Sequence, residues 1–255
     1  MIVLGFDTAT LSTAVALRLA DGRTLQARDD PGERERPGHA TRLLAMAGEL
    51  LSSAGIGWST LERIAVGVGP GRFTGLRVGV ATARGLAQSL DVELVGISSL
   101  RALAHAATPK DMHGEGVLAV IDARRGEAFA AAYPASALGS SARLAAGELT
   151  FARALKPADL ENVRALIEER GAGAGGRWLA LGDGAVFFRE QLRTAGLSVP
   201  PDCSALHLID PASICELGVD AAPLDSHELV LPDYRRAPDA ALARPLAPAA
   251  EASPA

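Results

Sequence analysis

Apolar and polar positions along the chain alternate in short blocks that are typical of an α/β protein. The N-terminal part opens with apolar strands joined through an Asp21-Gly22 hairpin signal. Apolar residues then recur at helical spacing over 39–54 and over 74–90. Between these two predicted helices, the apolar run 64–68 indicates a buried parallel strand. The chain therefore begins as a β-meander that leads into strand–helix units.

The stretch 64–90 combines a strand, a Gly-Pro-Gly turn at 69–71 and a helix whose predicted N-cap is Thr74. Small side chains at helical spacing let another backbone approach closely. They form one flat row on this helix: Gly75, Gly79, Ala83 and Ala87. Three neighbours for the row stay open at this point, namely the chain's own sheet, a phosphate and another protein.

The second half repeats the architecture of the first half. A strand that ends at Asp122 leads into a polar hairpin tip, as does the strand that ends at Asp7. Asp7 precedes Gly69 by 62 residues, and Asp122 precedes Gly182 by 60 residues. Each half thus has a strand, an Asp-led hairpin and a later strand–glycine–helix turn. The repeat predicts two related subdomains that face each other across a cleft.

The domain prediction follows from this repeat. Residues 1–108 are assigned to the N-terminal subdomain, which carries the two partner-binding helices, and residues 109–236 to the C-terminal subdomain. Residues 237–255 are mostly Ala and Pro, a composition that predicts a disordered tail.

Composition excludes several classes of protein. A net charge of −5 and a pI near 5.6 argue against a protein that grips nucleic acid alone, because such proteins usually present a basic face. No apolar run is long enough for a transmembrane helix, and the N-terminus lacks the basic region of a signal peptide. We therefore expect a cytoplasmic protein without membrane contact.

The candidate chemistry lies at the strand ends. Aspartates there could hold a hydrated magnesium ion beside nucleotide phosphates, or each could cap its own hairpin tip. No P-loop or dinucleotide fingerprint supports the first alternative. The role of Arg72 also has two alternatives, because its side chain could bind a phosphate or be solvated in a loop. The predicted vestigial nucleotide-facing residues are Asp7, Thr8, Gly69, Gly71, Asp122 and Gly182.

Enzymatic residues are otherwise missing from the sequence. The five histidines show no pair at metal-binding helical spacing, and no Ser or Cys nucleophile motif stands out. We predict no catalytic residue and no metal site. The helices instead suggest a partner surface that forms a four-helix bundle, and the predicted interface residues are His39, Arg42, Leu43, Met46, Leu50, Gly75, Leu76, Gly79, Val80 and Ala83.

Several motifs together resemble one family. The segments FDTAT, GPGRFTGLRVGVATARGLA, VGISSL, IDARRGE and LPDYRR resemble the TsaB (YeaZ) family over residues 1–236. The resemblance implies the actin-like ATPase fold, also called the sugar kinase/Hsp70/actin fold. Arg72 departs from the family, which more often has a small Ser there, so fine contacts of that loop are not transferred.

The resemblance also implies a function. It implies a non-catalytic scaffold subunit that dimerises with the catalytic subunit TsaD and recruits TsaE, in the complex that places N6-threonylcarbamoyl on adenosine 37 of tRNA. The metal histidines of TsaD would fall at Ser99 and Leu103, so no metal is expected here.

We expect a homodimer when the chain is isolated, because isologous packing of the same helices can substitute for the partner. We further expect tRNA contact through the complex rather than alone, and no intrinsic cofactor. ATP or ADP at the complex interface stays open. The alternatives are a self-sufficient ATPase or kinase of the same fold and, third, a metallopeptidase.

Overall fold

Two β-sheets, one from each half of the chain, organise the molecule. The computed structural model describes residues 1–32, 35–107, 116–138, 140–171 and 176–236. The first sheet has the strand order β3-β2-β1-β4-β5 and the second has the order β8-β7-β6-β9. The sequence prediction of two related α/β halves is confirmed.

The first half contains five strands and three α-helices within its described residues. These are β1 (Val3–Asp7), β2 (Thr13–Arg18), β3 (Thr24–Asp29), α1 (His39–Ser53), β4 (Arg63–Gly69), α2 (Phe73–Leu90), β5 (Glu93–Ser98) and α3 (Ser99–Ala106). The strands β1, β2 and β3 form the predicted antiparallel meander, and β4 and β5 add in parallel. Helix α2 begins one residue before the predicted N-cap Thr74, because Arg72 takes the N-cap position.

The second half has a shorter sheet with more, smaller helices. Its elements are β6 (Gly116–Arg124), β7 (Glu127–Tyr133), α4 (Ser141–Gly147), β8 (Leu149–Thr150), α5 (Pro157–Glu161), α6 (Val163–Glu169), β9 (Trp178–Leu181), α7 (Asp183–Phe187), α8 (Arg189–Thr194) and α9 (Pro211–Asp220). Strand β6 pairs with β7 antiparallel and with β9 in parallel. This arrangement repeats that of β2, β1 and β4 in the first half.

Side-chain alternation along the strands sets the order of the layers. Leu4 and Phe6 of β1 pack with α1 and α2 on one face of the first sheet, whereas Val3 belongs to the cluster on the other face. That second cluster also holds α3, α9 and the facing residues of β6. The outer face of the second sheet is covered by α5, α6 and α8. The aliphatic core is therefore continuous between the two sheets.

Helix α9 crosses back from the second half onto the first sheet. Gly5 allows this approach, because a Cβ there would lie 2.6 Å from the Cys215 Sγ atom. Arg63 of β4 donates from Nη1 to carbonyl oxygens at the end of α9, including that of Gly218 at 2.7 Å. Helix α9, which lies in the predicted range 109–236, therefore packs on the sheet of the first half. The predicted boundary at 108–109 and the tail at 237–255 lie outside the described residues.

Candidate functional site

The carboxyl end of β1 is closed by its own chain. Asp7 is 1% exposed, and its Oδ1 atom accepts a hydrogen bond from the Ala9 N–H at 2.7 Å. Its Oδ2 atom accepts from the Ser99 hydroxyl, and the Ser99 oxygen accepts from the Gly69 N–H at 3.2 Å. Burial raises the pKa of Asp7, and the bonds from Ser99 and Ala9 oppose that rise only in part. The aspartate holds the ends of β1 and β4 to the start of α3.

The row of small residues on α2 also faces the chain itself. The Thr8 hydroxyl donates to the Gly75 carbonyl at 2.8 Å. A Cβ at Gly75 would lie 2.0 Å from the Thr8 carbonyl oxygen, and one at Gly79 would lie 2.3 Å from the Thr8 Oγ1 atom. Of the three neighbours that the sequence left open, the row faces the chain's own structure, at the β1–β2 turn. Because Gly75 and Gly79 have no Cβ, the turn can pack directly against α2.

This packing corrects the predicted partner surface. Of the ten predicted interface residues, all of which are described, nine are buried inside the chain: His39, Leu43, Met46, Leu50, Gly75, Leu76, Gly79, Val80 and Ala83. Arg42 alone of the ten is exposed, and it forms an ion pair with Asp29 at 3.6 Å. The apolar stripe that identifies each helix is the side that packs on the sheet.

The exposed side of the two helices is made of other residues. Thr41 and Ala45 of α1 and Thr74, Ala81 and Gly85 of α2 are exposed. At Gly85 an added Cβ would meet nothing within 4 Å. Helices α1 and α2 contact each other. The five exposed positions with small side chains are here called the outer helical face, and Leu44 and Phe73 of the same helices are exposed as well.

The end of β6 is arranged differently from the end of β1. The Asp122 Oδ1 atom accepts from the Arg124 N–H at 2.7 Å, and the Asp122 N–H donates to the Asp183 Oδ1 atom at 3.0 Å. Asp183 is partly buried, and this burial raises its pKa to about 6. Gly182 has a φ of +103°, and a Cβ there would lie 2.1 Å from the Val120 carbonyl oxygen. The second glycine turn therefore lies directly on β6, as the first lies against β1.

The hairpin tip after Asp122 is built from strained arginines. Arg124 and Arg125 have φ values of 67° and 55°, and Gly126 follows with 74°. A left-handed backbone costs about 1 to 2 kcal/mol in a residue that carries a Cβ. Asn or Gly would fit the two-residue turn at Arg125-Gly126 with less strain. The tip thus presents two exposed arginines at an energetic cost.

A cleft of about 310 Å³ separates this tip from the loop that precedes α2. Its charged lining consists of Arg72 from the first half, Asp122, Arg124 and Arg125 from the tip, and Arg236. Partial burial and the nearby Arg124 lower the pKa of Arg72. Of the two alternatives for Arg72, the structure supports a residue that faces this cleft rather than open solvent.

The six predicted nucleotide-facing residues do not converge on one open site. Gly71 and Asp122 line the cleft. Asp7 and Thr8 are buried, Gly69 packs against Leu76 of α2, and Gly182 packs against Val120 of β6. Sequence reasoning missed the role of Ser99 as the partner of Asp7, and no spacing could have indicated a pair 92 residues apart.

Among the described residues, no three His, Cys, Asp or Glu side chains are grouped as a metal ion would require. None of the described helices combines the length and the apolar character that a membrane span needs. Cys203 is exposed and Cys215 is buried, and both are free thiols.

The family described as TsaD, tRNA N6-adenosine threonylcarbamoyltransferase, matches residues 33–186. The tRNA threonylcarbamoyladenosine biosynthesis protein TsaB of Escherichia coli is 36% identical over 184 residues, which is 72% of either chain. The chain belongs to the TsaB (YeaZ) family. The TsaB protein of Haemophilus influenzae is 38% identical over about half of each chain, namely 51% of this one and 52% of that one.

Solved structures agree with this family. YeaZ from Pseudomonas aeruginosa superposes with a TM-score of 0.67 at 27% identity, and the match covers 91% of this chain and all of the other. The TsaB/YeaZ family has the actin-like ATPase fold, so the fold prediction is confirmed. Its members are named for tRNA threonylcarbamoyladenosine biosynthesis, which is the pathway that the sequence motifs predicted.

Proposed function

We propose that the chain is a non-catalytic scaffold subunit of the complex that makes threonylcarbamoyladenosine in tRNA. In this proposal it dimerises with TsaD, helps to recruit TsaE and works in the cytoplasm. The proposal that the subunit is non-catalytic rests on the hydrogen bonds of Asp7. Both of its carboxylate oxygens are engaged inside the fold, by Ala9 and Ser99, where an ATPase would need an acid that reaches its magnesium ion.

Ser99 supports the same reading from another direction. It occupies the position at which the resemblance would place a metal histidine of TsaD, and its hydroxyl is bonded to Asp7. Leu103, at the second such position, is 1% exposed within the core. A hydroxyl and an aliphatic side chain offer no metal site of the kind that two imidazoles form.

We propose the outer helical face, rather than the residues first predicted, as the surface that binds TsaD. Its small exposed side chains on α1 and α2 allow two helices of a related partner to pack closely. Without TsaD, the same face on a second copy would give the expected homodimer. ATP or ADP at the TsaD interface remains part of the proposal.

Co-purification with TsaD tests this proposal. Gly85→Arg places a long charged side chain on the outer helical face, in a position where a Cβ has open space. We expect it to abolish capture of TsaD and homodimerisation while the melting temperature does not fall. Ala142→Arg, an exposed helical site in α4, is the matched control and should capture TsaD normally. Equal capture by both variants would contradict the proposed face, and no capture by the wild type would contradict the function.

Calorimetry addresses the alternative of a self-sufficient ATPase. The isolated chain is titrated with ATP and magnesium, beside an Asp7→Asn variant. We expect no turnover by either protein. Turnover by the wild type that the substitution removes would favour the enzyme over the scaffold.

A further inference from the structure

The cleft arginines belong to a larger basic surface. A second cavity of about 520 Å³ adjoins the cleft and shares Arg236 with it. The second cavity is also lined by Arg153, Lys156 and Arg235. The seven cationic residues that line the two cavities are here called the basic band: Arg72, Arg124, Arg125, Arg153, Lys156, Arg235 and Arg236.

The charge of the basic band is opposite to that of the chain. Among the described residues that line the two cavities, seven side chains are cationic and three, Asp122, Glu127 and Asp159, are acidic. The surplus is four positive charges, whereas the whole chain carries −5, so the remainder carries −9. Such segregation concentrates positive potential on one face and attracts anions there.

The arginines of the basic band are held in place by the fold. The Arg236 Nη1 atom donates to the Ala123 carbonyl at 3.0 Å, and Arg235 donates to Asp233 at 2.8 Å. Arg153 donates to Asp159 at 2.9 Å and still exposes 65% of its side chain. Arg124 exposes 58% and is kept in a left-handed backbone. A planar guanidinium with five donors can bind a phosphate while it keeps one such internal bond.

We propose that the basic band binds the phosphate backbone of RNA, and that this subunit thereby holds tRNA in the assembled complex. The inference rests on the proposed function for the identity of the RNA. The band crosses two cavities and draws on both halves of the chain, so it fits a chain of phosphates better than one small phosphorylated ligand. Backbone contacts of this kind position a nucleic acid without reading its sequence. They are also compatible with the acidic chain as a whole, which we expect to retain RNA by itself only at low salt.

The test measures tRNA binding by the complex of this chain with TsaD, as a function of salt. Arg124→Glu/Arg125→Glu reverses both charges at the hairpin tip. Arg143→Glu/Arg193→Glu reverses two exposed arginines outside the band and is the matched control. For the tip variant we expect at least a tenfold weaker affinity at low salt. The slope of log K against log [salt] should become shallower by about 1.4 to 1.8, because each of the two lost phosphate contacts removes ~0.7 to 0.9. Unchanged melting temperature and TsaD capture confirm that fold and assembly are intact.

Other results overturn the inference. Equal tRNA affinity and equal salt slopes for the tip and control variants contradict it while the scaffold function stands. The absence of tRNA binding by the wild-type complex contradicts it as well. If ATP titration shows a site that the tip substitutions remove while tRNA affinity is unchanged, the cleft binds a small phosphorylated ligand instead. If the wild type fails to capture TsaD, the proposed function falls, and the same variants are compared with the full chain alone at low salt. Equal RNA binding there, or none, overturns the inference too.

Discussion

The ends of β1 and β6 occupy equivalent places in the two halves and carry opposite chemistry. Asp7 at the end of β1 is sealed under Ser99, Gly69 and the start of α3. Asp122 near the end of β6 lines an open cleft, together with Arg124 and Arg125 of the hairpin tip. The same strand–hairpin architecture therefore serves internal cohesion in one half and surface charge in the other. A repeat of topology does not imply a repeat of function, which lies in the residues placed on it.

The largest effect is expected where the first turn meets α2. Gly75→Ala places a methyl 2.0 Å from the Thr8 carbonyl oxygen, so we expect a loss of about 3 kcal/mol in the free energy of unfolding. Gly85→Ala in the same helix has open space and should instead gain about 0.5 to 1 kcal/mol. Urea denaturation measures both. Two stabilised variants would show that the row of small residues does not bind the turn.

The second prediction concerns the partly buried Asp183 beneath the open tip. Its folded-state pKa of about 6 exceeds the ordinary value of 3.8, so its contribution to stability is complete below pH 4 and is lost as the pH rises through 6. At pH 7 this loss amounts to about 3 kcal/mol at most.

Asp183→Asn removes the partly buried charge and keeps an acceptor for the Asp122 N–H. We expect the variant to be more stable than the wild type at pH 7 and equal to it near pH 4. Thermal unfolding across this range provides the measurement. A stability difference that does not change with pH would show that Asp183 does not titrate as its burial requires.

Ser99 tests the sealed end of β1. Ser99→Ala leaves the buried Asp7 Oδ2 atom and the Gly69 N–H without their partner. We expect a loss of about 2 kcal/mol, since unsatisfied buried polar groups cost ~1 to 3 kcal/mol each. Ser89→Ala, an exposed site in α2, should change the stability by less than about 0.5 kcal/mol. A melting temperature that Ser99→Ala leaves unchanged would mean that Asp7 does not depend on this bond.

The smallest effect is expected at the strained tip. Arg125→Asn creates the Asn-Gly pair that suits a two-residue turn with positive φ at both positions. We expect the variant to gain about 1 kcal/mol, because the left-handed strain is relieved. Arg193→Asn in α8 is the control and should bring no gain, since Asn is a weaker helix former than Arg. A destabilised Arg125→Asn protein would show that this arginine contributes more to the fold than its strain costs.

Much of the fold could be predicted from local patterns. The Asp21-Gly22 hairpin, the strand before Gly69 and the Asp210 cap of α9 each follow from residues close in sequence. The outer helical face, which we propose as the partner surface, could not be predicted in this way. The apolar stripe of α1 and α2 is a strong pattern that indicates burial, whereas exposed small residues such as Ala81 and Gly85 form no pattern at all.

Contacts between distant segments were equally hidden. The row of small residues on α2 predicts that another segment packs closely against this helix. Only the folded chain shows that Thr8 occupies the space beside Gly75 and Gly79. Arg124 and Arg125 read as a polar tip in the sequence. Their connection to Arg236, more than a hundred residues later, depends on how the last described segment returns to the cleft.

The return of α9 to the first sheet has a consequence for synthesis on the ribosome. The slot at Gly5 is filled by Cys215, and the Arg63 guanidinium is satisfied by carbonyl oxygens at the end of α9. The part of the N-terminal sheet that α9 covers therefore stays uncovered until residues 211–220 have emerged from the exit tunnel. We expect the first half to complete its packing during translation only after α9 has been made.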